Sequence, residues 1–290
     1  MSNIKGYIYA AASSSTFGLA PFFTISLLAS GFSSFEVLAY RWGIASLTLG
    51  IFGVLLRETF RKDWGTVFIL SLLRAATSLS LVIAYQHIAS GVASTIHFMY
   101  PLAVALAMIF FFREKKSFSI LFAVLVSLAG AALLSSGEID FKGGNTTTGL
   151  IAATLSVFFY GGYIVGVRKS RAIHIPSTAL TCYVMGLGAL FFIIGGSLTG
   201  GIQLATGGQT WLNILGLALP ATAISNITLV KAIKYIGPTL TSIFGALEPL
   251  TAVAIGCLVF KESFTPGTGL GILLILMAVT VVIMHEKKTS

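Results

Sequence analysis

The chain has 290 residues, 56% of them hydrophobic and only 9% charged, with a net charge of +9 and a mean hydropathy of +0.95. Soluble domains carry about 25% charged residues, and 18 basic plus 9 acidic side chains cannot wet a soluble particle of this size. A soluble enzyme, a disordered chain, a coiled coil and a disulfide scaffold are thereby excluded, and the chain is integral to a membrane.

At about 20 apolar residues per span there is room for about ten spans. Hydropathy predicts them at Gly6–Ala29, Phe35–Leu56, Trp64–His87, Gly91–Phe112, Ser119–Ser136, Gly149–Val167, Thr178–Leu198, Trp211–Tyr235, Pro238–Phe260 and Gly267–Met284. Lipid offers no partner to a free N–H or C=O, so each span is expected to be helical. The first, after Lys5, is too long for a signal peptide and lacks a small-residue cleavage site before a polar start, so it is expected to stay attached. Cys182 and Cys257 each lie inside an apolar stretch and read as small apolar filler without redox or metal roles.

Placing the N-terminus inside puts Lys5, Arg57, Arg61, Lys62, Arg113, Lys115, Lys116, Arg168, Lys169, Arg171, Lys234, Lys287 and Lys288 on one side. Lys142 and Lys261 fall on the other, a strong positive-inside bias that predicts both termini in the cytoplasm. Nothing in the basic residues makes a nucleic-acid footprint. The outer connections around Ser136–Asn145 and Thr199–Thr210 are rich in Gly, Ser and Thr and read as simple loops.

The chain also repeats itself at a shift of 148 residues. Residues 81–118 laid over 229–266 match Leu81 with Leu229, Ser94 with Ser242, Pro101 with Pro249, Phe112 with Phe260 and Glu114 with Glu262, while Arg113 falls on Lys261. Gly6 and Gly18 of the first span echo Gly149 and Gly161 of the sixth. The expected architecture is an all-α integral membrane protein of ten helices in two five-helix repeats, 1–136 and 149–290, joined by an outer loop at 137–148. Five is odd, so the second repeat must enter the membrane inverted. Inverted repeats are the architecture of alternating-access carriers, with a site near the midplane at their interface.

Two five-span halves, a proline in the fourth and ninth spans, Phe112-Arg113-Glu114 and Phe260-Lys261-Glu262 at their ends, and Arg41 early in the second span resemble the EamA-like drug/metabolite transporters. Glu248-Pro249-Leu250 through Glu262, followed by Gly267, Gly269 and Gly271, is the most family-like stretch. Tyr100 stands before Pro101 where Glu248 stands before Pro249, so the halves cannot contribute equal chemistry. The resemblance implies an exporter or exchanger of small metabolites, often amino acids, in the bacterial inner membrane, and it marks Arg41 as important.

A charge at the bilayer centre costs ~2.5–3.5 kcal/mol on insertion scales, so each one there is a candidate for function. Glu248 lies about eleven residues into its span beside Pro249 and suits proton coupling, a substrate amine or a basic neighbour. Arg74, ten residues into the third span, keeps its charge, and its planar fork suits a substrate carboxylate or Glu248. With Arg74 and Glu248, the expected substrate-binding set includes His97, Tyr100, Tyr163 and Asn226. His97 also reads as a satisfied core residue and Asn226, aligned with Ser78, as interhelical glue. Tyr160, Phe98 and Phe244 would complete an amphipathic lining. Arg41, Lys231, Pro101 and Pro249 are expected to be structural or gating, with Lys231 snorkelling from its helix end and Arg41 snorkelling or docking its helix. Arg74 and Glu248 are thus left as the central pair.

Metal-binding His-Glu-x-x-His and Cys-x-x-Cys, the ATP-binding Gly-Lys-Ser/Thr and the Gly-x-Ser-x-Gly elbow are all missing from the sequence. No cofactor or metal is expected. The expected function is secondary transport of a small amphiphilic metabolite, proton-coupled or not, by a lipid-embedded monomer or homodimer. The other class open at this point is a lipid-modifying enzyme or accessory subunit. The charge asymmetry has a direct check: a cysteine replacing Lys287, with the native cysteines removed, should resist an impermeant thiol reagent in intact cells and react after permeabilisation.

Overall fold

The computed structural model describes residues 2–55, 57, 63–88, 90–114, 117–134, 144–251, 254 and 265–289. These residues contain helices and turns, with no strand among them. The helices are α1 (Ser2–Phe17), α2 (Ala20–Ala29), α3 (Ser34–Leu55), α4 (Trp64–His87), α5 (Ser90–His97), α6 (Tyr100–Phe112), α7 (Phe118–Leu134) and α8 (Thr146–Lys169). A 3-10 turn (Arg171–His174) leads to α9 (Ser177–Leu198). Then come α10 (Gly208–Ala218), a π turn (Leu219–Ile224), α11 (Ser225–Phe244) and, near the C-terminus, α12 (Pro266–Thr289). Seven helical stretches are long and apolar enough to cross a membrane. Cys257, Lys261 and Glu262 lie outside the described residues, as does most of the 137–148 connection.

Polarity is arranged for hydrocarbon. Leu47, Phe111, Phe118 and Leu198 face outward, whereas Ser71, Ser156, Thr181, Thr222 and Asn226 are buried. Inside the bundle, hydroxyls close on backbone carbonyls, as Ser71 does by donating to the Val184 carbonyl at 2.8 Å and so joining α4 to α9. Polar groups are satisfied inward because lipid cannot satisfy them.

Four predicted spans are interrupted, and proline explains each case. Proline lacks an N–H and its ring crowds the carbonyl four residues earlier. Counting back four from Pro21, Pro101 and Pro249 gives Phe17 and His97, the last residues of α1 and α5, and Gly245, the residue just after α11 ends. Tight turns bridge the gaps, including Met99 N–H to the Ile96 carbonyl at 3.0 Å and Gly245 N–H to the Ser242 carbonyl at 3.0 Å. The fourth, Pro220, is accommodated by the wider π turn at Leu219–Ile224. The first and fourth spans are therefore each two helical segments (α1–α2 and α5–α6) where one helix apiece was expected. A further bend at Gly237, whose φ of 82° suits glycine, separates the predicted eighth and ninth spans. The helix resumes over 247–251.

The principal packing pairs are α3 with α9, α1 with α11, α7 with α12 and α4 with α8. Each joins one half of the chain to the other, and exchanging the halves maps the set onto itself. The exchange is imperfect in one respect. The pair built from α1–α2 and α10–α11 is interrupted, while its counterpart, α4 with α8, is continuous through both helices. Leu72 stands where the other half has Pro220, and Ile164 where the first span has Pro21.

The connection at 199–207, expected as a simple loop, is tied down. Glu36 accepts from the backbone N–H groups of Ser33 and Gln203, both at 2.7 Å. The Tyr40 hydroxyl donates to the Gln203 carbonyl at 2.9 Å and accepts from Ala205 N–H at 3.0 Å. Between α3 and α9, Gly188 lies against the Trp42 ring, which in turn packs perpendicular to Phe192 at 5.2 Å between centroids. Gly188→Ala should therefore cost about 1–3 kcal/mol by overpacking, measured as a lower melting temperature of the purified protein, with Gly43→Ala, which meets open space, as the control.

Candidate functional site

The interruptions converge. Tyr100, the first residue of α6, packs on Gly245 so closely that a Cβ there would strike its hydroxyl. At Gly18 a Cβ would meet the Glu248 carbonyl and Thr251. The Ser13 hydroxyl of α1 donates to the carbonyl of Ser225, just past the π turn, at 2.8 Å. Glycine permits these close crossings, and proline creates the breaks that meet there.

Around this point lie the charges. Arg74 of α4 is 1% exposed. Its Nε donates to Asn226 Oδ1 at 3.0 Å and its Nη1 to the Ser78 hydroxyl at 3.4 Å. Its guanidinium carbon lies 4.9 Å from the Tyr160 ring centroid, 5.8 Å from Tyr163 and 5.4 Å from Phe17. Aromatic faces carry the negative side of the ring quadrupole, so this cage stabilises a cation that water cannot reach. Asn226 is held in turn by donating Nδ2–H to the Thr222 carbonyl at 2.8 Å.

Glu248 is 4% exposed and accepts from the Tyr100 hydroxyl at 3.4 Å. The rings of Tyr100 and Tyr160 meet edge-on at 4.6 Å. Arg74 and Glu248 form no direct ion pair; a run of contacts through Tyr160 and Tyr100 connects them, and their charges act on one another. The expected central pair is therefore a linked pair.

His97 closes α5 and stacks on Tyr160 at 5.3 Å. Its Nδ1 meets the Ser156 hydroxyl at 2.8 Å, and that hydroxyl donates to the Ala153 carbonyl at 2.6 Å. Ser156 has one proton, so the network assigns the hydrogen to His97 Nδ1 and leaves Nε2 as an acceptor. Neither His97 Nε2 nor the Tyr163 hydroxyl has a partner among the described residues.

Of the two arrangements open to Arg41, the side chain adopts docking against the second half. It is 5% exposed and does not snorkel. Its Nε donates to the Thr222 hydroxyl at 2.6 Å, its guanidinium lies 5.5 Å from the Phe17 centroid, and Nη2 has no partner among the described residues. Thr222 passes its own proton to the Leu217 carbonyl at 2.6 Å across the π turn. Lys231 stays apart, half-buried over the Tyr9 ring at 5.3 Å. Pro101 and Pro249 flank the site as the cause of two interruptions. The Phe112-Arg113-Glu114 motif is a helix C-cap: Arg113 takes φ 54°, and Glu114 accepts from the Thr239 hydroxyl at 2.8 Å, tying α6 to the second half.

Phe17, Thr222 and Tyr85 belong to the site without having been anticipated. Thr222 carries a usable signal, because the 148-residue register extended upstream sets it against Arg74. Phe17 carries none. Phe17 and Tyr85, with Arg41, Arg74, Thr77 and Ser78, line a cavity of about 20 Å³, room for about one water molecule, and Thr222 touches the site through Arg41. Arg41, Arg74 and Glu248 are all buried. Among the described residues no three His, Cys, Asp or Glu side chains gather to hold a metal.

The profile of the EamA-like transporter family matches this chain at residues 4–136 and again at 147–284. An uncharacterized transporter from Archaeoglobus fulgidus is 24% identical over 221 residues, 75% of each chain. A protein crystal structure with 17% identity superposes at a TM-score of 0.83, covering 100% of this chain and 98% of the other, which shows a shared fold.

Asn226→Leu removes the acceptor of a buried cation. It should lower stability by about 1–3 kcal/mol, whereas Lys231→Leu should stay within about 0.5 kcal/mol. Denaturant or thermal unfolding of the purified variants gives the comparison.

Proposed function

The chain belongs to the EamA-like transporter family, and from that premise we propose that it is a secondary active carrier exporting or exchanging a small amphiphilic metabolite, such as an amino acid, by alternating access. It is a multi-pass membrane protein. In this reading ten helices form two inverted five-helix repeats, 1–136 and 149–290, joined outside the bacterial inner membrane by 137–148, with both termini in the cytoplasm. The observation that carries the reading is the buried set of Arg74, Glu248, Tyr100 and Asn226, drawn from both halves and placed where interrupted helices cross.

Each group has a role in that cycle. Arg74, oriented by Asn226, presents its fork to a carboxylate. Glu248, steadied by the Tyr100 hydroxyl, takes a substrate amine or a proton. Tyr160 and Tyr163 offer flat apolar faces to the rest of the solute. The linked charges of Arg74 and Glu248 offset each other in the empty carrier and are exchanged for solute contacts in the loaded one, so both forms can reorient. The prolines supply segments that rock without breaking a continuous hydrogen-bond ladder, as discontinuous helices do in carriers.

The decisive test is flux of candidate amino acids into liposomes holding only the purified chain; an enzyme or accessory subunit would give none across a broad panel. Arg74→Ala should weaken the apparent affinity for a carboxylate-bearing solute roughly 10- to 100-fold, the loss expected for hydrogen bonds to a charged group. Glu248→Gln should flatten the pH dependence of flux while keeping solute binding. Pro101→Ala and Pro249→Ala should slow flux more than they reduce the amount of folded protein, as read from initial rates per folded carrier.

A further inference from the structure

Arg41 lies in the same cavity as Arg74 but has no task in the cycle described so far. Both guanidinium carbons sit about equally far from the Phe17 centroid, at 5.5 and 5.4 Å, and both side chains line the small cavity with Thr77, Ser78 and Tyr85. Their positive charges repel one another. Each is anchored through Nε by the second half of the chain, Arg41 by Thr222 and Arg74 by Asn226, one helical turn apart. Arg74 Nη1 also donates to the Ser78 hydroxyl at 3.4 Å. Arg41 Nη2 is buried and unpartnered among the described residues, and a buried cationic donor without an acceptor is costly. Glu36, nearest along α3, does not relieve it, because its two oxygens are held by the Ser33 and Gln203 amides. Among the described residues, Glu248 is the buried carboxylate whose charge acts on Arg74, and it is engaged by the Tyr100 hydroxyl.

We propose that Arg41 and Arg74 together form an anion subsite that takes a carboxylate of the carried solute, and that the solute bears net negative charge. The proposal rests on the transport reading and narrows its substrate class. Two guanidinium groups facing one carboxylate leave an uncompensated positive charge in the empty site, which a zwitterion, neutral overall, does not offset. An organic anion does, for example an amino acid with a second carboxylate. Two forks pinned at Nε, one of them with an unpartnered Nη2, suit the two oxygens of one carboxylate. Admitting those oxygens requires the cavity to widen from its present size, so binding is coupled to opening.

The test uses the purified full chain with L-glutamate and succinate as anionic probes, L-leucine as zwitterion and L-leucinamide as a cation lacking the carboxylate. Melting temperature reports binding, since a ligand of the folded state raises it, and liposome counterflow reports transport. Glutamate or succinate should stabilise the protein at lower concentration than leucine, and leucinamide should not stabilise it. Arg41→Gln should weaken the effective anion roughly 10- to 100-fold. Arg41→Lys, which keeps charge without the fork, should weaken it less and gives the reading if the glutamine variant does not fold. Unchanged anion affinity in the folded variant, or stabilisation by leucine or leucinamide in preference to both anions, overturns the subsite. Counterflow of leucine or leucinamide without any response to the anions would leave the carrier reading standing and remove this proposal alone, whereas anion binding without flux of any solute would do the reverse.

Discussion

A guanidinium enclosed in a bundle within hydrocarbon must find all its partners in protein, and Arg74 shows how much structure that demands. Its Nε requires an acceptor, so Asn226 must be there; Asn226 is held by the Thr222 carbonyl, which lies in the π turn that Pro220 occasions. Its π-facing surface requires aromatic rings, so Tyr160, Tyr163 and Phe17 must converge from two other helices. The cation thus ties α1, α4, α8 and α11 into one arrangement. Misplacing any of them leaves a charge without compensation, which makes the interior selective among packings as well as cohesive.

The prolines have a complementary effect. A continuous helix is the safest way to carry a backbone across lipid, and four predicted spans depart from it near their middles. The departures are tolerated because the gaps face the protein interior and close through i to i+3 turns or a π turn. They also bring backbone close to side chains of the other half, which is how Tyr100 comes to rest on Gly245 and Gly18 on the Glu248 carbonyl.

Much of this is legible in the residues because lipid simplifies the code. Runs of apolar residues show the spans, and lysines and arginines between them suggest an orientation. Arg74, Glu248, Tyr100, His97 and Asn226 can be marked as a group because polar side chains are conspicuous there. What is not legible is direction around the helix axis. Arg41 lies near a helix end along the chain, and distance from the end alone does not reveal that its side chain turns inward to Thr222. Likewise the link from Arg74 to Glu248 runs through Tyr160, which α8 supplies and which no spacing within α4 encodes. Phe17 is one of many phenylalanines, and only the break after it sets it beneath two cations.

The unequal pairs flanking the site have a consequence of their own. One crossing is interrupted in both members, while its counterpart, α4 with α8, runs unbroken. In a perfectly duplicated carrier the form open to one side would mirror the form open to the other, and the two would share one energy. If this chain works by alternating access as proposed, deformation concentrated in the interrupted crossing of α1–α2 with the π turn would break that mirror. The two faces would then differ in dwell time and in the concentration needed for half-saturation. Detailed balance still requires maximal rate divided by half-saturating concentration to agree in both directions at zero driving force. Such a carrier is fast from one side and tight from the other, rectifying in rate without changing where equilibrium lies.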